Sequence, residues 1–198
     1  MSEVKVKRLI VGSFSSNCYL VFDEKSKETL IVDPGDEAEF ISRVILEEGL
    51  TPLKIIATHG HFDHLMAATE LKLAFGIPLL ANKKDSFLLS RMPETLLPLK
   101  IDLNIKGGDK IRLGMYVFEV LETPGHTPGS ICLYSRENKV AFVGDLVFKG
   151  GGIGRYDFAY SDRRKLNQSI KKILKRFHKD TIIYSGHGEE FAVKEGKK

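Results

Sequence analysis

Four times in this chain a short apolar run leads through a glycine-bearing turn to histidine or aspartate. Lys54-Ile55-Ile56-Ala57 opens into Thr58-His59-Gly60-His61-Phe62-Asp63-His64. A strand candidate precedes Glu122-Thr123-Pro124-Gly125-His126. Phe142-Val143 leads to Gly144-Asp145, and Ile183-Tyr184-Ser185 leads to Gly186-His187. Apolar runs of this length bounded by turn residues read as buried strands. Glycine lets the backbone turn and approach closely, and strand ends are rigid supports for binding side chains. The pattern asks for a fold in which several strand ends carry one ligand set.

The heptapeptide holds three of the six histidines, with a carboxylate between the second and third. Neutral imidazole is the commonest protein ligand for a transition metal, and imidazole with carboxylate suits zinc, iron and related ions. In an extended segment His59 and His61 share one side, while Asp63 and His64 can turn elsewhere. A helical site would need i, i+4 spacing instead. An exposed histidine cluster without a metal is the alternative for this stretch taken alone. Adding His126, Asp145 and His187 gives too many ligands for one tetrahedral zinc but enough for two ions, with Asp145 able to bridge. The sixth histidine, His178, follows the last long helix among lysines and reads as a helix C-terminal charge.

The remaining elements set the fold class. Strands are expected over 4–11, 18–22 and 29–32 as an N-terminal meander. A helix begins near Ala38 and closes at Gly49. The strand 54–57 delivers the heptapeptide. Helices are expected over 64–75 and 82–91, the latter capped by Asn82, with a short strand over 77–81 between them. Strands over 110–113, 116–121, 131–134 and 140–143 follow. A helix capped by Ser161 or Asp162 runs to about Phe177, and 181–184 is a last strand before a short polar tail. Each half places helices beside a multi-stranded sheet, so the expectation is an α/β protein with two sheets packed together and helices outside. No linker divides the chain, which is read as one domain over residues 1–198.

At 198 residues, 42% hydrophobic and 28% charged, the chain can bury a sizeable core. The formal charge of +4 is mild, and the basic residues read as a solvated helix face and tail, not a nucleic-acid patch. No stretch reads as membrane-spanning. The first residues lack the apolar region of a signal peptide, so the expected location is cytoplasmic. Cys18 and Cys132 lie in strand-like runs and read as buried thiols, with no paired redox motif.

The H-x-H-x-D-H heptapeptide, followed in order by His126, Asp145 and His187, resembles the metallo-β-lactamase superfamily. The resemblance runs from the Asn17-Cys18-Tyr19-Leu20-Val21 strand to His187. It implies a four-layer αββα sandwich with the site at the sheet edge. It also implies that His59, His61 and His126 bind one metal, that Asp63, His64 and His187 bind a second, and that Asp145 bridges them with a water or hydroxide. The two divalent ions are read as zinc, with iron or manganese also compatible. Asp63 additionally orients the hydroxide as a catalytic group.

Thr123-Pro124-Gly125-His126-Thr127-Pro128-Gly129-Ser130 and the Gly151-Gly152-Ile153-Gly154-Arg155 loop look like the glyoxalase II branch, the hydroxyacylglutathione hydrolases. The chain departs from that branch in two respects. It stops shortly after His187, where the branch continues into a helical domain that helps bind glutathione. Its Arg155-Tyr156-Asp157-Phe158 pattern is closer to short single-domain relatives and to persulfide dioxygenases. The implied function is binuclear hydrolysis of a thioester or related acyl bond in a small acyl-thiol. The alternatives are a mononuclear iron oxygenase built on His59, His126 and Asp145, and a non-catalytic metal-binding module. Oligomeric state is left open.

Three residues outside the ligand set have two readings each. Asp33 and Thr58 either orient ligands from behind or are a turn former and a strand-end residue. Arg155 either holds a substrate carboxylate bidentately or pairs with Asp157 and orders its loop. Tyr156 is a weaker substrate-binding candidate. Phe62 and the segment around Leu96-Leu97 are candidates for an apolar wall, with core packing the alternative for the leucines.

Overall fold

In the computed structural model, which describes residues 4–91 and 99–195, the strand Ser16–Asp23 is buried along its whole length. Its alternate side chains enter different cores, with Cys18, Leu20 and Phe22 in one and Tyr19 and Val21 in another. A strand buried on both faces belongs in the middle of a layered structure.

The first sheet runs in space as β1 (Val4–Val11), β2 (Ser16–Asp23), β3 (Glu28–Val32), β4 (Thr51–Ile56), β5 (Leu79–Ala81) and β6 (Leu103–Asn104). Its first three strands are antiparallel, and β3 to β6 are parallel neighbours. The second sheet holds β7 (Lys110–Leu113), β8 (Tyr116–Glu122), β9 (Ile131–Ser135), β10 (Val140–Gly144), β11 (Ile182–Ser185) and β12 (Phe191–Ala192). Only β10 and β11 are parallel there. The helices are α1 (Ala38–Glu47), α2 (Ala68–Phe75), α3 (Ser86–Leu89) and α4 (Arg163–Arg176).

Three cores separate four layers. Ile41 and Ile45 of α1 and Leu71 of α2 pack on Cys18, Leu20, Ile31 and Ile55. Leu30, Val32 and Ile56 meet Phe118, Leu133 and Phe142 between the sheets. Leu166 and Ile173 of α4 pack on Cys132, Tyr134 and Val143. The αββα order expected from the sequence is the one that forms. Asp162 caps α4 by accepting the Lys165 N–H at 3.0 Å, which supports the amphipathic helix from its first turn. Both thiols are buried and free, Cys18 under the first sheet's helices and Cys132 under α4. Burial pushes both thiol pKa values up.

The structure corrects several boundaries. The helix expected over 64–75 begins only at Ala68. Phe62–His64 forms a 3-10 turn instead, and the N–H groups of Met66 and Ala67 donate to Gly35 O and Pro34 O at 3.2 and 3.1 Å. Those bonds hold the segment to the turn after β3 and release Asp63 and His64 from helical geometry. The helix expected over 82–91 is a 3-10 turn, Lys83–Asp85, followed by the short α3. Asn82 does cap it, accepting from Lys84 N. The two-residue strands β6 and β12 were not foreseen, and β12 lies in the stretch expected to be a polar tail. The segment around Leu96-Leu97 lies outside the described residues. No helix among the described residues is long and apolar enough to cross a membrane.

One rim collects the strand ends that matter. β4 ends before the heptapeptide, β10 ends at Gly144 beside Asp145, and β11 ends before Gly186-His187. A backbone bridge between Ser16 and His187 joins the two sheets there. Asn17 reinforces it through N–H to Gly186 O at 2.7 Å, and through Nδ2 to Ser185 O and Gly188 O at 2.9 and 2.8 Å. The Tyr19 hydroxyl donates to Ser185 O at 2.6 Å.

Candidate metal centre

The rim brings all seven sequence-predicted ligands together in two groups. In His59, His61 and His126, one ligand atom of each lies within 4.8 Å of the others, and the same holds for Asp63, His64 and His187. Asp145 lies between the groups. Its Oδ1 is 3.6 Å from His64 Nε2, and its Oδ2 is 3.7 Å from both His126 Nε2 and His187 Nε2. Asp63 Oδ2 is 3.3 Å from His187 Nε2 and 3.5 Å from His64 Nε2. This approach requires glycine at position 186, where a Cβ would stand 2.2 Å from Asp145 Oδ1 and 2.6 Å from His64 Cε1.

Outer partners set the histidine tautomers. His126 Nδ1–H donates to Arg155 O at 2.7 Å, and His64 Nδ1–H to Asp33 Oδ2 at 3.2 Å. His59 Nδ1 lies 3.1 Å from Thr58 Oγ1, which itself donates to Asp33 Oδ2 at 2.6 Å. His61 Nε2 lies 2.8 Å from the Tyr160 hydroxyl. With the outer nitrogen of His59, His61 and His126 occupied, the inner nitrogen of each presents a lone pair, and that of His64 does so once its proton is lost. Asp33 and Thr58 thus touch the rear faces of the ligands, and Asp33 adopts a left-handed φ of 52° there. Its Oδ1 accepts the Thr58 N–H at 2.7 Å. Ligand atoms of Asp33, His59 and His64 also lie within 4.8 Å of one another, but the Asp33 oxygens are already engaged behind the rings.

The donor set fits a metal. His59 Nε2, His64 Nε2 and Asp145 Oδ1 are buried without a hydrogen-bond partner among the described residues. His126 Nε2 and His61 Nδ1 face each other at 2.9 Å. Orphaned buried lone pairs are costly, and a cation placed among them removes that cost. Nitrogen and oxygen donors of this type suit zinc, iron and manganese.

Electrostatics divides the groups. Burial, reinforced by neighbouring imidazoles, lowers the pKa of His61 to about 3 and holds His59 well below its usual range. Burial also opposes charge on His64, but Asp145, Asp33 and Asp63 outweigh it and raise its pKa to about 9. The hydrogen bond to Asp63 raises that of His187. Burial disfavours the Asp63 carboxylate, yet His187 and His64 hold it well below the usual range.

A metal held at His64 Nε2 would displace the proton there. The folded pKa of about 9 exceeds the ordinary 6.5. In the metal-free protein this group's contribution to stability is therefore complete below about 6.5 and lost as pH rises through about 9. Metal addition to the apo-protein is expected to release more protons at about pH 7 than at about pH 10. Calorimetry in buffers of different ionisation enthalpy measures this, and equal release at both would refute it.

A sequence profile of the metallo-beta-lactamase superfamily matches residues 11–187. The chain belongs to that superfamily. Hydroxyacylglutathione hydrolase GloC of Haemophilus influenzae is 38% identical, with 98% of this chain and 96% of that protein aligned. Among solved structures, BLEG-1 B3 metallo-beta-lactamase matches with a TM-score of 0.87 at 32% identity, covering 96% of this chain and 95% of that one. TTHA1623, solved in a di-iron-bound form, matches with a TM-score of 0.84 at 31% identity, covering 95% of each chain.

In this superfamily member the ligand groups open into a cavity of about 690 Å³. Arg155 lines it, but its guanidinium is committed to Asp157 by bonds of 3.0 and 2.9 Å and lies 4.4 Å from the Phe158 ring centroid. Pairing with Asp157, one of the two roles open from sequence, is present. Tyr156 is not among the lining residues. Its ring lies beneath Arg163, 4.9 Å away, on the side where α4 begins. Phe158 and Tyr160 line the cavity instead, and Phe62 lines it as expected.

Sequence reasoning missed Asp85. Its buried carboxylate ties together the two loops of the all-histidine group. Oδ2 accepts Gly60 N–H at 2.9 Å and Thr127 Oγ1–H at 2.6 Å, and Oδ1 accepts Gly129 N–H at 2.6 Å. Position 129 admits only glycine, because a Cβ would approach Asp85 Oδ1 to 2.6 Å. Burial raises the Asp85 pKa, against the pull of these bonds. An acid whose partners are mainly distant backbone amides leaves no sequence signal.

Proposed function

We propose that this protein is a binuclear metallo-hydrolase of a thioester or related acyl bond in a small acyl-thiol. The observation that carries the reading is the position of Asp145, whose oxygens face the all-histidine group on one side and the carboxylate-bearing group on the other. His59, His61 and His126 would hold one ion, Asp63, His64 and His187 the second, and Asp145 both. Zinc suits this set, and iron and manganese are compatible with it. GloC, a hydroxyacylglutathione hydrolase of similar length, supports acyl-thiol hydrolysis.

When bound, the metals supply a water of lowered pKa and a Lewis acid for the substrate carbonyl. The chain's own groups orient the reaction. Asp63, ionised at neutral pH and steadied by Ser16 Oγ–H at 3.2 Å, can accept a hydrogen bond from the attacking water and fix its direction. Asp33 and Thr58 hold the rings of His64 and His59, and Arg155 O holds that of His126, so the ligands need little reorganisation. A mononuclear oxygenase built on His59, His126 and Asp145 would leave the Asp63, His64 and His187 group idle, which favours the hydrolase.

Metal analysis of the purified protein, combined with a thiol-release assay on simple thioesters, tests the reading. About two ions per chain and chelator-sensitive thiol release are expected. One tightly held iron with no thiol released from any acyl-thiol would overturn it.

A further inference from the structure

Beyond the metal residues, the cavity is lined by aromatic rings. Phe14, from the turn between β1 and β2, meets Phe62 edge to face with centroids 5.2 Å apart. These side chains remain 54% and 38% exposed, although burying them would be favourable. Phe158 and Tyr160 form a second pair, stacked at 5.3 Å with planes 10° apart. An exposed apolar patch continuous with a polar centre marks a recognition surface.

Among the described residues, little polar recognition is left on this lining. Arg155 is held by Asp157. Arg91 lies over the Phe87 ring, 5.3 Å from its centroid. Among the described residues the lining carboxylates are Asp63, in one ligand group, and Asp145, which lies between the two groups. A peptide thiol carrying an ammonium and two carboxylates would lose hydration here and find few partners. A flat apolar ring would cover exposed phenyl faces and gain from both area and ring geometry.

On the acyl-thiol reading above, we infer that the substrate carries an aromatic ring close to the scissile bond, on its acyl or its thiol arm. Phe14 and Phe62, with Phe158 and Tyr160, receive that ring. The test compares kcat/KM of the metal-loaded protein for four compounds: S-methyl thioacetate, S-benzyl thioacetate, the S-methyl thioester of phenylacetic acid, and S-lactoylglutathione. One of the two ring-bearing esters is expected to exceed S-methyl thioacetate and S-lactoylglutathione by at least about tenfold. The Phe14→Ala/Phe62→Ala protein is expected to bring the ring-to-methyl ratio within about twofold. Parity in the wild-type protein, S-lactoylglutathione as the best substrate, or a ratio untouched by the double substitution would each overturn the inference. The first two leave the thioesterase reading standing. No thiol release from any of the four would overturn that reading and the inference with it.

Discussion

Asp145→Ala is expected to lower bound metal from about two ions per chain to one or fewer and to cut thiol release at least about a hundredfold. Loss of a partner that merely orients a ligand already costs about 10- to 100-fold in affinity or activity, and Asp145 faces both groups directly. The fold should survive, because Oδ1 makes no hydrogen bond among the described residues. Removing this carboxylate also leaves His64 without the group that most raises its pKa. Atomic absorption, circular dichroism and the thiol assay check the three parts. A folded variant with two ions and full activity would remove Asp145 from the centre.

Asp85→Ala is expected to act on both stability and metal binding. It orphans the Gly60 and Gly129 N–H groups, while the Thr127 hydroxyl keeps Ser130 Oγ at 2.7 Å. At about 1–3 kcal/mol for each buried unsatisfied group, a destabilisation of about 2–6 kcal/mol follows. Because those amides lie in the loops of His59, His61 and His126, metal affinity should fall about 10- to 100-fold as well. Asp85→Asn retains the shape and one acceptor, so it should recover part of both losses. Urea melts of the apo-protein and competitive metal titration separate the effects. Wild-type metal affinity in a folded Asp85→Ala protein would make Asp85 a packing residue only.

The ligand set was legible because it is written in a few local words. A strand, a glycine and a histidine or aspartate fall within a handful of residues in each case. The layers were legible because burial on both faces leaves strands such as 131–134 continuously apolar. What was hidden depends on distance in sequence. Asp85 finds its amides across 25 and 44 positions, and Asn17 secures a loop 168 and 171 positions away. The late start of α2 depends on carbonyls of Pro34 and Gly35, which no helical propensity describes. That the Tyr156 ring turns to Arg163 could not be read, because residue type does not tell which way a side chain leaves an irregular loop.

The two cysteines lie in separate outer layers of the sandwich, one under α1 and α2 and the other under α4. Sulfur is thereby kept out of a centre that offers only nitrogen and oxygen, and the thiols are too well sealed to bridge or to be oxidised in the native state. Each becomes reactive only when its own half opens. The chain therefore carries two built-in reporters, able to tell whether the halves of the molecule come apart together or one before the other.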